Sequence, residues 1–476
     1  MDVPRGGRGG RRELSRPVSG DRGDNVNMNA ATSSGPAISV AIDDIQSGAL
    51  HHRPSPYVGK FVFLRVDDRH AGRKFLGWLL PAVDSGLPSA SPNQDAWVAV
   101  ALTWNGLRVL GVPQASLDSF PIEFQQGMAV RAETLGDVGD SAPANWEAPF
   151  GTPDIHLIIS ALAPDDARLE AALGRAREAL RDSPGVEVIW QQDVRQLPTG
   201  RTTLGFKDGI SYPSIEGTGI PGSNPQELPI KAGEFILGYP DETGNLPPMP
   251  QPEVLGRNGT YAAIRKLHTK VAAWRQYLHA NSASPEEEAL LAAKMIGRWP
   301  SGAPLVLSSE QDDPELGADY QRNNDFLYRE SDDRGFKCPA GAHIRRVNPR
   351  DADIIGVTRL HRLIRRGTTY GPPLPAGVLE DDGADRGLVG LFIGAHLDRQ
   401  FEFIKTEWVN QGNFIGYLGE QDPVAGRHTG ADNFTIPEQP VRRRLQNLPG
   451  FVVTRGGEYG FVPGLRALRW LADLVT

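Results

Sequence analysis

Short apolar runs of strand length alternate with stretches of helical periodicity along this chain, and that alternation restricts its fold more than any other feature. In the first half, residues 57–66 (YVGKFVFLRV) read as a strand, 71–82 as an amphipathic helix closed by Gly86 and Pro88, and 96–102 (AWVAVAL) as a buried strand. Short helices over 104–110 and within 120–135 follow. A polar loop then leads to a strand at 154–162 (DIHLIISAL), a long helix at 165–181 and a strand at 186–191. The long helix has the clearest pattern: Pro164 and Asp165 open it, and Leu169, Leu173, Ala176 and Leu180 recur at helical spacing. The order β, α, β, loop, β, α, β is that of a split βαβ unit, an antiparallel sheet with helices on one face.

The second half repeats that order with longer insertions. Strands are expected at 259–267, 358–364 and 387–394 (GLVGLFIG), a strand or hairpin at 451–462, and helices at 270–280, 285–298 and 398–410. The fold class is therefore α+β: two ferredoxin-like domains from a duplicated split βαβ, with antiparallel sheets and peripheral helices. The second half has room for a planar cofactor between helix and sheet. The expected divisions are a disordered Gly/Arg/Asn/Ser-rich tail at 1–37, an N-terminal ferredoxin-like domain at 57–200 and a C-terminal, cofactor-binding one at 201–476. Met28 is an alternative start within the tail.

Composition narrows the function classes. The 476 residues carry a net charge of −8, which leaves no electrostatic footprint for nucleic acid. No run of about eighteen apolar residues is present, so no membrane span is expected. Arg11 and Arg12 are followed by polar chain instead of the apolar segment of an export signal. Cys338 is the only cysteine, which rules out a disulfide framework and all-cysteine metal sites and points to a reducing, cytoplasmic compartment.

The residues that carry chemistry fall in separate stretches. His343 follows Pro339, Ala340, Gly341 and Ala342, small residues that let a large flat group approach closely. Arg345, Arg346 and Arg350 come after it and suit carboxylates such as the propionates of haem. An iron held by one histidine keeps its opposite axial position open, as peroxide chemistry requires. No Cys-x-x-Cys-His occurs, so covalent attachment of haem is not expected. Asp208 lies in GFKDG at 205–209. An aspartate before glycine usually serves a turn, but a carboxylate over haem can take a proton from one oxygen of hydrogen peroxide and return it to the other. Arg365 ends an expected strand, and a guanidinium there would stabilise the negative charge that grows as the O–O bond lengthens. Neighbours on a strand point to opposite faces, so only one of Arg365 and Arg366 can face such a site.

Together these motifs resemble the dye-decolourising peroxidase family. The resemblance runs from about Tyr57 to the C-terminus. It rests on GFKDGIS at 205–211, GEFILGYPDETG at 233–244, NGTYAAIRKL at 258–267, AAKMIGRWPSGAPL at 292–305, CPAGAHIRRVNPRD at 338–351, RLIRRGTTYG at 362–371 and RQFEFI at 399–404. It implies one haem b (iron protoporphyrin IX) per chain, with His343 as proximal iron ligand, Asp208 as distal aspartate and proton shuttle, and Arg365 as distal arginine. Arg345, Leu391 and Phe392 are expected beside the cofactor. Glu402, or else Asp398, is expected to accept the other ring N–H of His343. The resemblance also implies reduction of hydrogen peroxide, oxidation of dyes, phenols or other one-electron donors, and a homodimer. Some members carry an asparagine two residues after the distal arginine, where this chain has Gly367. Donors too bulky to reach buried iron would pass electrons through one of Trp190, Trp274, Trp299 and Trp408. Two other readings use the same residues. One is a haem carrier or iron-releasing protein, in which peroxide turnover is incidental. The other is a cofactor-free binding module in which His343 is structural.

Overall fold

Eight strands of the chain form one antiparallel sheet, and their spatial order repeats. The computed structural model describes residues 39–87, 96–352, 357–416 and 418–474; the tail expected at 1–37, with Met28, lies outside them. The strands are β1 (Val58–Val66), β2 (Trp97–Leu102), β3 (Leu157–Ala163), β4 (Val186–Arg195), β5 (Thr260–Thr269), β6 (Ile364–Tyr370), β7 (Gly387–Gly394) and, after a two-stranded ribbon of β8 (Asp432–Ile436) and β9 (Arg443–Leu448), β10 (Val452–Val462). Their order is β4-β1-β3-β2-β10-β5-β7-β6. In each half the fourth strand lies outside the first, then come the third and the second. That is the ferredoxin-like order, present twice, as the alternation of the sequence predicts.

The two halves meet along a thin seam. β2 and β10 share one bridge pair, Phe461 with Leu102, whereas every other neighbouring pair forms a ladder of six or more pairs, broken by a register shift in β1–β4 and in β10–β5. The side-chain amide of Gln46 supplies part of what is missing. It donates to the Val100 carbonyl at 2.9 Å and the Pro463 carbonyl at 2.8 Å, and accepts from the Val100 N–H at 2.7 Å. Phe461 packs edge-on against Phe120 at 5.2 Å and beside Tyr261 at 5.7 Å, so side chains close the rest. At the far ends the sheet curls until its outer strands approach. Thr369 of β6 donates its hydroxyl to the Arg195 carbonyl of β4, and its N–H donates to the Tyr57 hydroxyl at 2.8 Å.

Helix starts follow local capping chemistry. In α1 (Arg69–Leu79), Asp68 accepts the Ala71 N–H at 2.7 Å; in α2 (Asp166–Arg181), Asp165 accepts the Arg168 N–H at 2.9 Å. α2 buries Leu169, Leu173, Ala176 and Ala179, one face at helical spacing. Each leucine so buried contributes roughly 1.5–3 kcal/mol. In the second half α3 (Val271–Ala280) precedes α4 (Pro285–Ile296). Ser284 caps α4, with Pro285 in its first turn, and Gly297 at φ 98° ends it.

Two expectations for the second half change. The strand expected at 358–364 begins later: Thr358–His361 is a 3₁₀ turn and the strand is Ile364–Tyr370. The apolar and β-branched residues of 358–364 mimic a strand, but the His361 ring bonds the Arg399 carbonyl and stacks on Phe403 at 3.8 Å. RRGTTY carries the ladder to β7 instead. The helix expected at 398–410 is two wide π-helical turns, Leu397–Glu402 and Ile404–Val409, a form that recurs at functional sites. Among the described residues no helix is long and apolar enough to cross a membrane.

Candidate active site

The pleat of β5, β6 and β7 decides which side chains reach a cavity of about 1060 Å³ under the second half of the sheet. Ladder pairs put Arg365 opposite Phe392 and Gly367 opposite Gly390, and all four line the cavity. The π-helical turns also line it, with Phe401, Ile404, Lys405 and Val409. Its volume reaches beyond the roughly 300–1,000 Å³ of common small-molecule sites.

His343 opens a short helix, α5 (His343–Val347), and lines the same cavity. Its Nδ1 lies 2.8 Å from Asp422 Oδ2. Asp422 is fully buried, and its Oδ1 accepts the N–H groups of Val424 and Ala425, each at 2.9 Å. Burial alone would raise this carboxyl; the His343 ring and the two N–H donors outweigh it and hold the group well below the usual carboxylate range. A carboxylate at Asp422 accepts from Nδ1, so whenever the ring is neutral its lone pair is on Nε2. Nε2 has no hydrogen-bond partner among the described residues. The donor set therefore fits a haem iron: an imidazole whose Nδ1 is held by a buried carboxylate, with Nε2 toward a cavity of suitable size.

Asp208 and Arg365 line the cavity with it. Gly205 at φ 91° and Gly209 at φ 74° take backbone conformations that favour glycine, and so turn the loop that presents Asp208. Lys207 beside it points elsewhere, donating to the Gly317 carbonyl at 3.0 Å. Asp208 Oδ2 accepts from Arg53 Nη2 at 3.2 Å. Arg365 has no hydrogen-bond or ion-pair partner among the described residues, although burial pushes against its charge and Asp208 favours it. Arg366 faces the other way, as strand alternation requires. It is buried and donates to the His51 carbonyl.

No family model matches the chain. The dye-decolorizing peroxidase of Exidia glandulosa is 31% identical over 457 residues, covering 90% of this chain and 87% of that protein. The chain belongs to the dye-decolourising peroxidase family. Solved structures agree. A dye-decolorizing peroxidase in complex with 2,6-dimethoxyphenol superposes with a TM-score of 0.78 at 27% identity, covering 91% of this chain and 100% of the other. One from Auricularia auricula-judae gives 0.78 at 26%, with the same coverage. The chain is accordingly a haem peroxidase with the α+β fold of that family.

Not every residue expected beside the haem of this peroxidase is there. Arg345 is buried away from the cavity, with Nη1 donating to the Cys338 carbonyl at 2.8 Å and the Asp332 carboxylate at 3.2 Å, and its guanidinium over the Tyr328 ring. Arg346 is likewise structural: it donates to the carbonyls of Trp408 at 2.8 Å and Glu420 at 2.6 Å, tying α5 to the π-helical turns and to the segment of Asp422. Of the basic run, Arg350 lines the cavity. Leu391 and Phe392 are neighbours on β7, so one must face away. Phe392 lines the cavity, while Leu391 packs with Ile264, Ala99 and Val100 on the opposite face. Glu402 does not pair with His343; Arg131 and the Tyr459 hydroxyl, at 2.7 Å, occupy it. Asp398 is exposed at the helix start. Asp422 holds the position expected of either, and its loop (QDPVAG) carries no periodicity or spacing that points to His343. Arg53 was also not among the expected residues. The four candidate relay tryptophans are buried; Trp190, the most exposed, is 7% accessible, so none presents its ring to a bulky donor at the surface.

Proposed function

We propose that this peroxidase binds one haem b per chain through Nε2 of His343 and reduces hydrogen peroxide with Asp208 and Arg365. The observation that carries the reading is the His343–Asp422 bond, which fixes Nδ1 as donor and leaves Nε2 free in a cavity shared with an aspartate and an unpaired arginine. Haem, when bound, supplies the redox chemistry. The residues supply the rest. Asp208 accepts a proton from one peroxide oxygen and returns it to the departing one. Arg365, with its donors uncommitted, stabilises the charge that develops between them. Asp422 keeps the imidazole oriented and strengthens it as a donor. Dyes and phenols are the proposed electron donors, supported by the 2,6-dimethoxyphenol bound to a structural neighbour. The carrier reading leaves Arg365 without a task. On the same proposal, 57–200 and 201–476 are the two ferredoxin-like halves. The cytoplasm is the proposed location, because Cys338 is a free thiol.

The test is an absorption spectrum of the haem-loaded protein before and after one equivalent of hydrogen peroxide. A ferric Soret band that changes within milliseconds is expected. Asp208→Asn should slow the change by about 10²–10⁴-fold at normal haem content. An unaltered rate would remove Asp208 from the mechanism, and a band indifferent to peroxide would restore the carrier reading.

A further inference from the structure

Arg53 belongs to the segment before β1, far along the chain from the residues given roles above. Its side chain is only 8% exposed, and it is fixed from three sides. Nη1 donates to the Gly367 carbonyl at 2.6 Å, Nη2 donates to Asp208 Oδ2 at 3.2 Å, and the guanidinium lies 4.6 Å from the centre of the Tyr57 ring. Tyr57 is anchored in turn by the Thr369 N–H on β6. Asp208 is the loosely held member of the set: 41% exposed, on a loop with glycine on both sides. A buried cation held from three sides against a carboxylate on an exposed loop determines where the carboxylate rests. Only Oδ2 is engaged; Oδ1 has no partner among the described residues and is the oxygen left for a proton. Gly367 makes room for the pair, since a Cβ there would lie 3.0 Å from Asp208 Oδ2. Through Gly367 the same guanidinium also ties the Asp208 loop to the strand that bears Arg365.

We infer that Arg53 is a positioning residue for the peroxide reaction: it grips Oδ2 of Asp208 so that Oδ1 is presented to the cavity in register with Arg365. This rests on the proton-transfer role proposed for Asp208.

The test uses the full haem-loaded chain in five forms: unaltered, Arg53→Gln, Arg53→Lys, Asp208→Asn and the double variant Arg53→Gln/Asp208→Asn. One readout is the bimolecular rate with peroxide. The other involves no turnover: the affinity of the ferric protein for cyanide, read from the Soret shift. Hydrogen cyanide gives up a proton as it binds, so it needs the same carboxylate in the same place. Arg53→Gln should slow the peroxide reaction by about 10–100-fold, as displacement of a reacting group does, and weaken cyanide in parallel. Arg53→Lys should recover most of both. In the Asp208→Asn background Arg53→Gln should change neither further, because two residues that act as a unit are not additive. Effects that multiply in the double variant, or a lowered melting temperature with rate and cyanide affinity intact, would make Arg53 mere packing and overturn the inference. A slow Asp208→Asn beside a normal Arg53→Gln would overturn Arg53 alone. A normal Asp208→Asn would overturn the Asp208 role and Arg53 with it.

Discussion

His343 and Asp422 stand 79 positions apart in the chain and 2.8 Å apart in space. The carboxylate is fully buried and held well below the usual carboxylate range, and among the described residues no second cation pairs with it at that distance. Its charge is directed through the imidazole. Asp422→Asn keeps the shape and removes the charge, so His343 becomes a poorer donor and ferric haem loses stabilisation. The haem reduction potential should rise, as spectroelectrochemical titration would show. Asp422→Ala should also weaken haem retention by about 10–100-fold. An unchanged potential in Asp422→Asn would mean that the bond merely orients the ring.

Glu458 gives a pH dependence that belongs to the fold and not to the peroxide chemistry. It is buried on β10, and its Oε1 accepts the Tyr459 N–H at 2.8 Å and the Met128 N–H at 3.4 Å. Burial outweighs these donors and pushes its carboxyl up from 4.5 to about 7. Between those two pH values the folded chain holds a proton that the unfolded chain has released, so stability falls as pH rises through that window and levels off above it. Glu458→Gln is neutral in both states. Its melting temperature should gain on the parent's between pH 4.5 and about 7, in parallel thermal scans. A constant difference would mean that Glu458 ionises normally.

Arg345 and Asp332 form an ion pair in which the side chains are 3% and 2% exposed. Truncating one partner strands the other charge, a loss of about 3–5 kcal/mol. Arg345→Ala should therefore unfold at markedly lower denaturant than the parent, and the haem-free protein should show the loss as fully as the loaded one. A variant of normal stability that fails to retain haem would instead return Arg345 to the cofactor.

Much of this architecture is legible in the sequence because periodicity and capping are local. Strands and helices of the first half stand within a few residues of their expected ends, since Asp68, Asp165 and the apolar alternation act over a turn or two. His343, Asp208 and Arg365, picked out by their side-chain chemistry and local motifs, do line one cavity. Parity is where reading fails. Leu391 and Phe392 look equivalent as residues, and only the register against β6 and β5 separates them. Contacts made across the fold leave no trace at all: Asp422 reaches His343 from a distant loop, and Arg53 reaches Asp208 from 155 positions away. The arginines after His343 look like ligands for an anion, but Arg345, Arg346 and Arg350 all donate to backbone carbonyls, and Arg345 also pairs with a buried aspartate.

The seam between β2 and β10 has an evolutionary consequence. Along that seam the two four-stranded halves are joined by one bridge pair and one glutamine side chain, and each completes its ladders with its own strands. The ladders of the two ferredoxin-like halves are thus closed almost independently across that joint, which leaves their strand sequences room to differ. One apolar core runs through both halves, while the cavity opens against the second, where Gly367 and Gly390 line it. Divergence to the point where no internal repeat can be read in the sequence is what such a weakly bonded joint permits.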